Sequence, residues 1–214
     1  MKPEEQAEIK IWDWLNKRSD KIKEIYFNRK NKINAPIFQT KGNNKKPDFI
    51  LLIDNGCNGE YAAVEVKPIG RSRTIYDAGK IIDYYKNYIN GKTKYYINKK
   101  EIKINHFAIA TDNSEEGFLF KKQYEDKVKE NKGYLVRLGL LPKYEHIGTM
   151  RFLRKLWSDF DRERKLLNIT KTKSPSLGIL MSNPQIDNKP HLLTVIYVDW
   201  LNKKPGWGQR FIKL

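Results

Sequence analysis

Ala7, Ile11, Trp14 and Leu15 recur at a helical interval among charged residues and predict a helix over residues 3–17. Pro3 suits its first turn, and Glu4 and Glu5 complement the positive end of its dipole. A strand is expected near residues 24–29. The clearest strand pair is 48–53 and 60–67, flanking Asp54-Asn55-Gly56-Cys57-Asn58-Gly59. Two Asn-Gly pairs within that stretch are a strong turn signal. Pro68 ends the second strand, because proline has no N–H to give to a ladder. Ile75, Ala78, Ile82, Tyr85 and Ile89 then predict a helix over 74–90, with Gly91 beyond its end. Residues 106–111 read as a buried strand, 119–130 as a mixed-charge helix and 134–138 as a strand. Met150, Leu153, Trp157, Phe160 and Leu167 mark the inner face of a helix over 148–167. Strand-like runs at 177–181, 192–200 and 207–212 complete the chain.

Helix, strands, helix, strand, helix, strand is the order of an α/β fold with a mixed β-sheet flanked by helices. The last three runs suggest a small C-terminal antiparallel accessory element. The expected organisation is a core over 1–140 and a helix-plus-β segment over 141–214 packed on it as one globular unit. At 214 residues the chain is long enough to bury such a core. With 39% hydrophobic and 31% charged residues it is neither collagen-like nor wholly disordered. The single cysteine, Cys57, excludes an internal disulfide framework and a cysteine-rich zinc site. The longest apolar runs fall far short of the ~20 residues of a membrane span. No apolar stretch follows the N-terminal Met1-Lys2-Pro3-Glu4-Glu5. The expectation is a cytoplasmic protein without a membrane partner.

Charge changes the picture more than composition does. Lys and Arg total 42 against 25 Asp and Glu, a net charge of +17. Such a field attracts polyanions, of which nucleic acid is the commonest inside cells. A lysine- and asparagine-rich composition filling the surface is the competing account. Residues 17–46 alone hold ten basic and two acidic residues.

Paired across its turn, the 48–67 hairpin puts Ile53 opposite Glu60 and, by the same count, Asp48 opposite Glu65. Opposed side chains of an antiparallel pair share a face with Cβ atoms ~5 Å apart. Lys67, two residues beyond Glu65, shares that face by the alternation of a strand. The other face, with Phe49, Leu51, Ile53, Ala62, Val64 and Val66, is the expected core. Two carboxylates so placed suit a hard divalent cation, which takes oxygen ligands and keeps water and phosphate oxygens besides. Such a cation polarises a phosphoryl oxygen and lowers the pKa of water. A lysine nearby can orient that water or offset charge at phosphorus.

Pro47-Asp48, a turn, and Val64-Glu65-Val66-Lys67 resemble the signature of the PD-(D/E)XK nuclease superfamily, which includes restriction endonucleases and Holliday-junction resolvases. The resemblance covers residues 1–112. It implies a restriction-endonuclease-like core and a metal-dependent endonuclease acting on DNA with Mg²⁺, or Mn²⁺ in its place, leaving 5′-phosphate ends. Carried over by position, it makes Asp48 and Glu65 metal ligands, Lys67 the catalytic lysine and the Val66 carbonyl a further ligand. It also implies a glutamate on the first helix, for which Glu8 is the better candidate and Glu5 the poorer. The helix after the lysine often carries a polar residue and a tyrosine, for which Asp77, Lys80 and Tyr84 are candidates. Lys67-Pro68 also resembles the transposon-end-cleaving nuclease subunits, without the helical domain those usually add.

Lys41, Lys45 and Lys46 form a basic loop ahead of Asp48, Arg71 and Arg73 follow the hairpin, and Arg151 and Lys155 share a helical stripe with Arg162. These are the candidate nucleic-acid contacts; an ordinary solvated face is the alternative for the helical stripe. His106, His146 and His191 lack metal-ligand spacing, and His106 reads as structural. Trp200 and Trp207 are candidates for base stacking or for core packing. Cutting both strands of a duplex takes two active sites, so a homodimer or a place in a DNA-processing complex is expected. The alternatives are a non-catalytic basic nucleic-acid-binding protein on the same fold, or the nuclease subunit of a larger transposition or restriction assembly.

Overall fold

The computed structural model describes residues 2–30, 33–42, 46–56, 58–67, 79–111, 175–182, 189–200 and 204–214. The helices expected over 119–130 and 148–167, the strand over 134–138 and the start of the 74–90 helix lie outside them.

Helix α1 spans Pro3–Arg18 and buries Ala7, Ile11, Trp14 and Leu15, the four residues of the predicted face, together with Glu8. The Glu5 carboxylate accepts the Lys2 backbone N–H at 3.3 Å, and the Ser19 N–H donates to the Leu15 carbonyl at 3.0 Å. Both ends of the helix thus have polar partners, which leaves its apolar stripe free to dock.

The strands follow in order: β1 (Ile22–Phe27), β2 (Gln39–Gly42), β3 (Phe49–Ile53), β4 (Glu60–Lys67), then helix α2 (Gly79–Ile89), β5 (Thr93–Ile97), β6 (Lys100–Ile102), β7 (Ile104–Thr111), β8 (Ser176–Ser182), β9 (Pro190–Trp200) and β10 (Lys204–Lys213). Seven of them form one sheet in the order β1-β3-β4-β7-β8-β9-β10. The fold is α/β with a mixed sheet: β4, β7 and β8 run parallel, and the pairs outside them run antiparallel. The β3–β4 register, Phe49 opposite Val64 and Ile53 opposite Glu60, is the one its turn and alternation predict. Gly56 and Gly59 carry the turn at φ 82° and 71°, a backbone region costly for residues with a Cβ.

Both faces of the hairpin are covered, not one as expected. Phe49, Leu51, Ile53, Ala62, Val64 and Val66 pack in the core that includes α1, while Ile50, Ala63 and Glu65 on the opposite face are buried too. The reason is α2: Tyr85 meets Phe107 edge-on at 5.8 Å and Tyr88 lies 5.6 Å from the same ring. A strand buried on both sides loses the clean apolar–polar alternation of a half-exposed one.

A second sheet, β2-β5-β6, lies on the α2 side through Tyr95, which sits 5.9 Å from Tyr88 and 6.4 Å from Phe107. It went unpredicted. Its hairpin turns on Asn98 and Lys99 with φ of 49° and 65°, a two-residue turn with a lysine where glycine is usual. Gly42 ends β2 at φ +107°, where an added Cβ would lie 1.9 Å from the Lys92 carbonyl oxygen. Only glycine permits that approach.

The C-terminal strands do not form the separate antiparallel accessory element expected of them. β8 pairs with β7 in parallel, His106 with Ser176 through Ile109 with Ile179, and β9 and β10 extend the same sheet. Leu180 and Leu192 enter the core that holds α1. Burial at a free sheet edge outweighs folding back as a separate hairpin, because it satisfies the edge of β7 and covers apolar surface at once. Among the described residues no helix is long and apolar enough to cross a membrane.

Candidate functional site

The Pro47-Asp48 step enters the sheet between two clamps. The Asn28 side chain donates to the Pro47 carbonyl at 3.0 Å, and the Asn28 N–H donates to the Asp48 carbonyl at 3.2 Å. On the other side the Asp48 N–H donates to Val64 O at 2.9 Å. The Asp48 carboxylate then accepts the Val66 N–H at 2.7 Å, extending the β3–β4 contact one residue ahead of β3. A charge-assisted bond to the backbone thus holds the Asp48 carboxylate at Val66, next in the chain to Glu65.

Glu65 is only 3% exposed, and both of its oxygens have partners from α2. Lys80 donates to Oε1 at 3.0 Å and Tyr84 to Oε2 at 3.2 Å. Lys80 and Tyr84 are four residues apart, the interval that puts two side chains on one helix face. Burial pushes the Tyr84 hydroxyl far above its ordinary range, and the Glu65 and Asp48 charges push it further. Tyr84 is therefore a neutral donor, and the contact that carries positive charge comes from Lys80. The sequence resemblance offers both residues, and the geometry brings both to Glu65.

Glu8 reaches the same region from α1. Its carboxylate, 6% exposed, accepts from the Arg29 guanidinium at 2.8 Å. Burial raises its pKa above the usual carboxylate value, Arg29 opposes that rise, and the charges of Glu5, Glu4 and Glu65 add to it. Arg29 itself was not among the sequence candidates. It follows β1, whose pairing of Phe27 with Phe49 brings it near Asp48. Only the order of strands in the sheet reveals that neighbourhood.

Lys67 is the last residue of β4, two beyond Glu65, with its Cα paired to that of Thr111. Val66 is buried between the two. Lys41 is exposed on β2, opposite Lys94 of β5, and Lys46 is half-buried just ahead of Pro47. Lys45, Arg71, Arg73, Asp77, Arg151 and Lys155 lie outside the described residues. Glu65 and Lys67 sit at the C-terminal end of β4 beside parallel β7, the end of such strands where ligands bind in open α/β sheets.

The donor set is two carboxylates, Asp48 held at Val66 and Glu65 next to it in the chain, with backbone oxygen at hand. All are hard oxygen donors of the kind magnesium takes while keeping several waters. Among the described residues no group of three or more His, Cys, Asp or Glu gathers closely enough to hold a metal alone.

His106 is structural, as its spacing suggests. Its Nδ1 is 2.6 Å from Ser176 Oγ and its Nε2 2.7 Å from Glu60 Oε2, all at the far end of β4, β7 and β8. His106 and Ser176 are buried, so this is no accessible nucleophile. His191 is also buried, with Nδ1 2.9 Å from the Lys189 carbonyl. Comparison with known proteins finds no family model, no curated protein and no solved structure that matches this chain.

Proposed function

We propose that the chain is a divalent-metal-dependent DNA endonuclease built on a restriction-endonuclease-like core. The observation that carries the reading is the Asp48 carboxylate held on the Val66 N–H, next in the chain to buried Glu65 at the C-terminal end of β4, with Lys67 two residues beyond Glu65. Mg²⁺ bound there supplies Lewis acidity, polarising a phosphoryl oxygen and easing deprotonation of the attacking water. Asp48, Glu65 and the Val66 carbonyl are the residues to hold it. Lys67 steadies the negative charge that builds on the phosphate in the transition state. A water oxygen bonds to phosphorus as the P–O3′ bond breaks, leaving a 5′-phosphate and a 3′-hydroxyl. Glu8 orients Arg29 toward the same end of the sheet. The net charge of +17 draws the DNA in, with Lys41 and Lys46 among the nearest cations to Asp48 in the chain. Cleavage of both strands calls for two copies or a partner assembly.

The test is incubation of linear, circular and branched DNA with the protein in magnesium or in EDTA, followed by mapping of the ends. Magnesium-dependent cutting of closed circles to 5′-phosphate ends is expected. Binding without cutting on every substrate, in magnesium and in manganese, overturns the reading in favour of a binding protein.

A further inference from the structure

Glu65 is a buried carboxylate whose cationic partner is not buried. Lys80 is 53% exposed and Glu65 3%, at 3.0 Å. Tyr84 holds the other oxygen through a neutral hydroxyl, and the Val66 N–H holds Asp48. Tyr84 and the Asp48–Val66 bond are fixtures of the fold, whereas Lys80 hangs by a flexible stem with a path to water.

We propose that Lys80 is a displaceable counter-ion: it keeps Glu65 oriented, and a divalent cation entering between Glu65 and Asp48 takes Oε1 from it. This inference rests on the metal-dependent reading of the site and adds a regulatory step to it. A divalent cation at Oε1 and the Lys80 ammonium beside it repel each other where water screens poorly, so each weakens the other's hold on that oxygen. The lysine is the one able to leave, since an exposed ammonium regains hydration at little cost. Metal loading therefore competes with an internal ion pair and is weaker than the carboxylates alone would give. The released ammonium stays on the first turns of α2, beside the site, as a positive charge for a polyanionic substrate. Lys80 is on this account a positioning residue before the metal binds, and its role ends where that of the metal begins.

The experiment is calorimetric titration of the full chain with Mg²⁺ and with Mn²⁺, without DNA, at about pH 8, where glutamate is ionised. Wild type is compared with Lys80→Met, which keeps the aliphatic stem and loses the charge. Lys86→Met, on the same helix but outside the Glu65 contacts described above, measures the loss of a positive charge at a distance. Lys80→Met is expected to bind metal roughly three- to tenfold more tightly, the range of a half-exposed charged hydrogen bond. Lys86→Met is expected to change affinity less than about twofold. In wild type, the ¹⁵Nζ and ¹³Cε resonances of Lys80 should move toward free-lysine values as metal is added. Equal or weaker binding by Lys80→Met, or Lys80 resonances that ignore the metal, overturns the displacement. Should Lys80→Met fold poorly, the resonances of the wild-type protein decide alone. No metal binding by wild type in either titration overturns the metal-dependent reading itself, a result distinct from tight binding that Lys80→Met leaves unchanged.

Discussion

Glu60 and Glu65 stand at opposite ends of β4, and they are handled differently. Glu60 meets His106 at 2.7 Å, and His106 meets Ser176 at 2.6 Å, which links β4, β7 and β8 through side chains that are buried or nearly so. That network lies on the α1 face. Glu65 lies on the α2 face, is next in the chain to the residue whose N–H holds a second carboxylate, Asp48, and has among its partners a lysine that is half in water. A network of buried polar groups holds strands together, because its members satisfy one another away from solvent. A carboxylate pair with an exposed counter-ion stabilises less, since repulsion between the carboxylates and loss of the lysine to water both weaken it. What it gains is the ability to trade that counter-ion for a ligand. The two ends of one strand show a structural and a functional use of the same side chain.

The sharpest way to break this comparison is at the Glu65 end. Asp48→Asn and Glu65→Gln are expected to lower single-turnover cleavage at least ~10²-fold while leaving the far-ultraviolet circular dichroism spectrum unchanged. Metal titration of the two variants should show lost or much weakened binding; unchanged affinity in both would remove the site from this end of the sheet.

Lys67→Ala separates holding from catalysis. Single-turnover cleavage at saturating protein should drop ~10²-fold or more, with DNA affinity nearly intact, because one charge of 42 contributes little to the long-range field. Lys67→Arg should not restore the rate, since a planar guanidinium does not replace a compact ammonium. Cleavage by Lys67→Ala at the wild-type rate would falsify its assigned role.

At the other end the expected effect is on stability. His106→Ala leaves Glu60 and Ser176 without their shared partner and should cost about 3 kcal/mol in urea unfolding. Cleavage by the folded fraction should persist. A variant of wild-type stability and lost cleavage would reverse the assignment of the two ends.

The smallest effect concerns Glu8. Its folded-state pKa is raised, chiefly by burial, so its contribution to stability is fullest below the unfolded value and is lost as pH rises through the folded one. Glu8→Gln removes that dependence. Its stability relative to wild type should therefore rise as pH is taken from about 4 toward neutrality. Parallel pH profiles for the two proteins would show that Glu8 is not a strained acid.

Much of the candidate site is legible in the chain because it is local. Asp48, Glu65 and Lys67 fall within one hairpin, and the two Asn-Gly pairs with a strict alternation set its register without help from elsewhere. Tyr84 and Lys80 were readable as residues on the next helix, but not as the two donors that share Glu65. The β5–β6 hairpin escaped because a turn at Asn98-Lys99 lacks the glycine that flags such turns.

The sequence by itself determined the elements whose causes lie within about twenty residues of one another: the buried face of α1, the 48–67 hairpin and the strand at β7. Period and turn chemistry suffice for those, since neighbouring side chains on one helix or one hairpin meet whatever the rest of the chain does. Tertiary structure alone decided the rest. It set β8 against the edge of β7, from residues more than sixty positions away in the chain, and brought Arg29 to Glu8 across the order of strands. It also covered the second face of β4 with α2, which turned Glu65 from an exposed strand-end carboxylate into a buried one held by Lys80 and Tyr84. Edge pairing and face covering depend on which surfaces remain free once local structure has formed, and no local pattern encodes that choice.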